Sequence, residues 1–204
     1  MTVERTPLAG FAARFASASA GSGGALRLQE EPLWTQVNLR IDPAAAGSLT
    51  DVLNGPLPLE PNTVTPTANG QIVWLGPDEW LLLRPNRPSD AEAVIRAAAG
   101  STPVSVVDVS AARAVVRLSG PAVREVLAHG CGLDLDAAQF PPGACSQTRI
   151  ALTDVILIAP HDQSADFAFA PTFLVLARAS FAPYLATWLL DAATEHVSAA
   201  PHPG

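Results

Sequence analysis

Val37-Asn38-Leu39-Arg40-Ile41-Asp42-Pro43 returns later in the chain as Val115-Val116-Arg117-Leu118-Ser119-Gly120-Pro121. In both places side chains alternate as a half-buried strand requires, and a proline then stands where a helix can begin without losing a hydrogen bond. The segments that follow also correspond. Leu53-Asn54-Gly55-Pro56-Leu57 matches Leu127-Ala128-His129-Gly130-Cys131-Gly132-Leu133, and Trp80-Leu81-Leu82-Leu83-Arg84 occupies the slot taken later by Phe173-Leu174-Val175-Leu176-Ala177-Arg178. Each copy predicts the order β-α-β-β-β-α. The expected fold class is α+β, with two repeated lobes close to a ferredoxin-like, split βαβ arrangement.

Outward from the repeat, the sequence divides into an N-terminal extension (1–33) with a flexible Ala/Ser/Gly stretch, a first lobe (34–103), a second lobe (104–197) and a tail (198–204). In the first lobe Asp42 is expected to cap a helix with Leu49, Val52 and Leu53 inward. Strands follow near 63–67, 71–75 and 80–84, the last two joined by the turn Gly76-Pro77-Asp78-Glu79. Ser89 and Glu92 form a capping box before a helix facing inward with Ala91, Val94, Ile95 and Ala98. The second lobe starts with strands 104–109 and 114–118, then a helix carrying Val123, Val126 and Leu127 inward. Strands near 146–152, 155–159 and 172–176 lead to a closing helix, capped by Ser180, with Phe181, Tyr184, Leu185, Trp188, Leu189, Ala192 and His196 on one face.

Composition narrows the function classes. Of 204 residues 49% are apolar and the net charge is −7. Every basic residue is Arg, so lysine Schiff-base chemistry and lysine phosphate cradles are excluded. The acidic balance argues against nucleic-acid partners, which need a basic stripe along the phosphates. Apolar runs such as Val155–Ala159 fall far short of the roughly 20 residues that span a membrane, and the first residues show no secretory pattern. Two cysteines supply no disulfide framework, so a reducing, cytoplasmic setting is expected.

Val107-Asp108-Val109-Ser110, then Arg113, then Leu118-Ser119-Gly120-Pro121-Ala122, resembles the aminomethyltransferase (glycine-cleavage T-protein) superfamily, where such a strand precedes a Gly-Pro-initiated helix. Four further stretches narrow the resemblance to the sarcosine oxidase gamma-subunit family: Arg5–Leu8, Leu75-Gly76-Pro77-Asp78-Glu79-Trp80, Gly130–Leu135, and Phe140-Pro141-Pro142-Gly143-Ala144-Cys145. The closing helix looks like that family's ending. The resemblance implies the aminomethyltransferase folate-binding-like fold and a non-catalytic gamma subunit assembling with alpha, beta and delta subunits in the cytoplasm. FAD, FMN, NAD, tetrahydrofolate and zinc would then reside on those partners. Two other assignments compete: a gamma subunit of a related complex oxidising another N-methyl amino acid, and a stand-alone folate-binding module.

The residues offer little chemistry of their own. Gly21-Ser22-Gly23-Gly24 does not follow a predicted strand, as a dinucleotide-binding turn would. His129, Cys131, Cys145 and His161 lack the grouping of a zinc site. A nucleophile–base pair from Cys145 or Ser164 with His161 and Asp162 has no orienting partner, and the stretch from Asp162 to Asp166 reads as a polar turn. The local His129-Gly130-Cys131-Gly132 lacks the lysine and the Gly-Gln-Glu end of the iron–sulfur-assembly relatives. Asp108 is read as ending a strand, and Asp154 as the other acidic residue kept from the folate enzymes. No catalytic, cofactor-binding or metal-binding residue is therefore expected. Trp80, Asp78 of the adjacent turn and Arg113 are taken as partner contacts, because aromatics and Arg dominate interface energetics.

Overall fold

The computed structural model describes residues 6–85, 90–161 and 171–197. Ser89 of the capping box, Asp162, Ser164 and Asp166, and the tail from Ser198 lie outside the described residues. The elements are α1 (Ala12–Gly21), β1 (Arg27–Glu30), β2 (Thr35–Ile41), α2 (Thr50–Leu53), β3 (Val64–Thr67), β4 (Gly70–Gly76), β5 (Glu79–Arg84), α3 (Ala91–Ala99), β6 (Val104–Asp108), β7 (Arg113–Ser119), α4 (Val123–Ala128), β8 (Cys145–Ile150), β9 (Thr153–Ile158), β10 (Thr172–Arg178) and α5 (Ala182–Ala192). The fold is α+β, with two five-stranded sheets.

One sheet runs β3-β4-β5-β2-β6 and the other β8-β9-β10-β7-β1. Numbered within each repeat, both read 2-3-4-1 plus a fifth strand beside the first. The order β-α-β-β-β-α expected from the sequence is present twice. What periodicity did not show is the fifth strand's origin. Val104–Asp108, expected to open the second lobe, pairs antiparallel with β2, setting Val106 against Leu39. Conversely β1, from the extension read as flexible, pairs antiparallel with β7 and sets Leu28 against Leu118. The strand just before each repeat thus joins the other repeat's sheet. Local alternation marks a strand but carries no information about its partner.

Two compact units result: Leu33–Ala112 with Gly143–Ser146, and the remainder of the chain. In the unit built on β2, the core gathers Val37, Leu39, Leu49, Leu53, Ile72, Trp80, Leu82, Ile95 and Val106. Asp42 caps as expected, its Oδ1 accepting from Ala44 N–H at 2.9 Å. The chain then winds as a 3-10 turn over Pro43–Leu49 before the single α turn of α2. So short a helical stretch is marginal alone; burial of Leu49 and Leu53, worth roughly 1.5–3 kcal/mol each, holds it down. Asn54, in the left-handed region at φ 60°, ends it one residue before the expected Gly55. α3 faces inward with Ala91, Ile95 and Ala99, while Val94 and Ala98 turn out, a rotation from the expected stripe.

In the other unit α1 buries Phe15 and Ala18, and β7 and β10 lie at the centre of the sheet. Gly120, at φ 120°, makes the β7–α4 turn feasible: a Cβ there would stand 2.4 Å from the Ala25 carbonyl oxygen, which accepts from Ala122 N–H. α5 buries Ala182, Leu185, Ala186 and Leu189. Phe181, Tyr184 and Thr187 face outward, and Ser180 makes no side-chain cap. The helix has therefore turned relative to the apolar face read from the sequence, with small Ala182 and Ala186 sharing its buried side with Leu185 and Leu189.

Both exchanged strands lie at a sheet edge, and in each case the preceding helix closes that edge. Leu28 N–H donates to Ser19 Oγ of α1 at 2.9 Å, and Leu26 N–H to Ser22 Oγ at 3.1 Å. In β6, Val106 O accepts from Arg96 Nη2 of α3 at 2.6 Å, and Asp108 N–H donates to Glu92 Oε2 at 3.3 Å. Unpaired edge groups invite pairing with other chains, and these side chains occupy them instead.

Candidate functional site

The three residues taken as partner contacts part company. Trp80 has no exposed surface; its indole N–H donates to Pro58 O at 2.8 Å, and its ring sits in the core of the β2 unit. It cannot touch a partner. The uninterrupted run Trp80-Leu81-Leu82-Leu83 marks a strand covered on both faces, a signal that outweighs the neighbouring polar turn. Asp78 is half-exposed in that turn and accepts from Arg40 Nη2 at 2.7 Å, an exposed pair worth little to stability. Arg113 opens β7 and lines a cleft.

Among the described residues, the cysteines, histidines and Asp108 do not converge on one site. Cys145 is buried at the start of β8, within the β2 unit, near the carbonyls of Thr63 and Trp74 at 3.5 Å. Burial pushes its thiol up to about 12, against a smaller opposite effect of the hydrogen bond to Trp74, so it is no nucleophile near neutrality. Cys131 is buried in the other unit. His129 sits at the end of α4, Nδ1 3.0 Å from Glu125 O. Asp108 ends β6, as expected, and accepts from Ser110 N–H at 2.8 Å in a local turn. Among the described residues no group of three His, Cys, Asp or Glu is placed to hold a metal ion, and no helix is long and apolar enough to cross a membrane.

Charge does collect in one place. At one end of the β1–β7–β10–β9–β8 sheet, Arg113 pairs across the ladder with Arg178. The register that sets Ala177 against Val155 brings Asp154 next in the row, and Arg149 Nε of β8 lies 3.5 Å from Asp154 Oδ1. The row reads Arg113, Arg178, Asp154, Arg149 across four strands. It rims an open cleft of about 370 Å³ with Leu176 and Ile156 at its base and Gln147 beside it. Like charges directly opposed on a ladder repel one another. Arg149 and Asp154 are 66% and 81% exposed, so their pair is solvated and weak. Of these cations the sequence reading singled out Arg113 alone, since the register that aligns it with Arg149 and Arg178 is a property of the folded sheet.

Leu152, 73% exposed, forms the tip between Arg149 and Asp154, and its N–H donates to Tyr184 Oη at 3.3 Å. Phe181 and Tyr184 of α5 are 47% and 38% exposed.

The "Sarcosine oxidase, gamma subunit family" matches residues 39–195. The chain belongs to this family. Among gamma-family relatives, the sarcosine oxidase subunit gamma of Corynebacterium sp. (strain P-1) is 34% identical over 97% of this chain and 93% of its own length. That of Arthrobacter sp. is 36% identical over 90% of this chain and 87% of its own. The gamma-family fold also appears in a chain of the heterotetrameric sarcosine oxidase from Corynebacterium sp. U-96, with a TM-score of 0.85, 31% identity and coverage of 98% of this chain and 99% of that one. The aminomethyltransferase T of the glycine cleavage system of Bartonella henselae shares the fold, with a TM-score of 0.68, 14% identity and coverage of 96% of this chain and 59% of that one. The expected aminomethyltransferase folate-binding-like fold is therefore present.

Proposed function

We propose that this chain is a non-catalytic, assembly-supporting gamma subunit of a cytoplasmic sarcosine oxidase-type complex that oxidatively demethylates sarcosine to glycine. The observation that carries the proposal is end-to-end likeness: about a third of residues identical to named gamma subunits, and a matching chain inside a solved heterotetrameric sarcosine oxidase. Its partners in this reading are alpha, beta and delta subunits, with FAD, FMN, NAD, tetrahydrofolate and zinc held there. The chain's own groups support the same role. Cys145 is held as a buried thiol, and Asp108 is engaged in closing its own turn.

The test is co-expression with alpha, beta and delta subunits from the same organism, followed by purification through a tag on this chain. Flavin absorbance and sarcosine-dependent oxygen consumption should co-purify, while the chain expressed alone should be colourless and inactive. Flavin retained by the chain alone, or turnover without partners, would overturn the reading.

A further inference from the structure

We propose that Arg84 and Thr35 form a binding site for a small carboxylate ion, one oxygen of which accepts from Arg84 Nη2 and the other from the Thr35 hydroxyl. The site lies wholly inside the unit built on β2 and does not depend on the assembly role above.

Strand register brings the two residues together. Thr35 opens β2, Arg84 closes β5, and they are direct ladder partners. Side chains two residues apart share a sheet face, so both lie on the face of Val37 and Leu82, which pair in the same ladder and belong to the core. Partners of this kind hold their Cβ atoms about 4.5–5.5 Å apart, a gap that one carboxylate with its two oxygens spans. On the far side of Arg84, the pairing of Gln71 with Leu83 sets Gly70 next in the row, and glycine brings no side-chain group to meet the guanidinium.

Burial makes the pair a site. Thr35 is 2% exposed, and its Oγ1 and the Nη2 of Arg84 are both shut off from solvent. Among the described residues neither atom has a hydrogen-bond partner. A buried hydroxyl left unpaired costs stability, and a buried charge left unpaired costs more. Burial pulls the Arg84 guanidinium below its ordinary value, yet an Arg side chain stays charged in a protein. One cation and one hydroxyl at the edge of an apolar core select a singly charged acceptor with two oxygens. A carboxylate takes a charge-assisted bond from the guanidinium and a second bond from the hydroxyl, whereas a doubly charged anion would bring charge that a single Arg does not offset. Arg84 as a whole is only partly buried, so its outer side gives a small ion a way in.

The experiment follows the thermal melt of the full chain as sodium acetate replaces sodium chloride at constant ionic strength. The melting temperature should climb with the logarithm of acetate concentration, by about 2–4 °C once acetate stands roughly fivefold above its dissociation constant. Arg84→Met keeps a long unbranched side chain without the charge. It should lose that gain, while melting in chloride at or above the parent's temperature. Thr35→Val should gain less from acetate than the parent does, because one of the two bonds is gone. If Arg84→Met fails to fold, Arg84→Gln takes its place and should lose the gain in the same way. No acetate-dependent rise in the parent up to about 0.1 M overturns the site. So does a rise that the Arg84 variant keeps in full, which would make it a bulk effect of the salt.

Discussion

At the scale of single residues, the most constrained positions serve the fold. Gly120 belongs to the Gly-Pro stretch that carried the family resemblance, and its role is geometric: positive φ and an Ala25 carbonyl where a side chain would stand. Gly120→Ala should destabilise the chain by about 3 kcal/mol, combining overpacking with left-handed backbone strain, and a urea melt would show it. Cys145 gives a pH signature. Its folded thiol titrates near 12, above the usual range near 8.5, so the stability it contributes is complete below the unfolded value and drains away as pH rises toward 12. Cys145→Ala should flatten that alkaline loss, and iodoacetamide at pH 8 should leave Cys145 unlabelled until denaturant is added. Thr35 illustrates the opposite case. Its Oγ1 is buried without a hydrogen-bond partner, so Thr35→Val should be neutral or stabilising by up to about 1 kcal/mol, read as a rise in melting temperature.

At the scale of elements, much was legible, and the failures share one cause. Strands β2 to β5 and β7 to β10 announced themselves by alternation or apolar runs between turn residues, and α4 by Val123, Val126 and Leu127 after Gly-Pro. α1 did not, because Ala, Ser and Gly give weak periodicity; it is held by Phe15 against the sheet and by Ser19 and Ser22 on β1. The burial of Trp80 was written in its flanking leucines, and the exposure of Phe181 and Tyr184 was not, since alanines can face the core as readily as aromatics. The cationic row was the least legible feature, for it needs the register of four strands. Edge closure makes a prediction at this scale. Removing the guanidinium in Arg96→Ala takes the donor from Val106 O and the partner that holds the Glu92 carboxylate below its ordinary range. The variant should melt at a lower temperature than the parent at neutral pH. Because a depressed carboxylate stabilises above its unfolded pKa and loses that effect as pH falls through the folded one, the deficit should shrink in acid.

At the scale of the whole molecule, strand exchange makes the two sequence repeats interdependent. Had each repeat closed its own sheet, a cut between them would leave two folded pieces. Instead the piece 34–103 ends before β6 and loses Val106 from its core, and the piece 104–197 begins without α1 and β1. The second loss is the greater. Leu8, Phe15, Leu26 and Leu28 are almost wholly buried, and at roughly 1.5–3 kcal/mol each they account for about 6–12 kcal/mol, as much as an ordinary domain's entire stability. Residues 113–197 should therefore show no cooperative urea transition alone, by near-ultraviolet circular dichroism. Adding the peptide 1–32 in trans should restore one, because it supplies β1 to the open edge of β7 and covers that strand's outer groups with α1. A cooperative transition in 113–197 without the peptide would mean that β1 only decorates the sheet, and that the N-terminal segment is free to serve some purpose other than completing it.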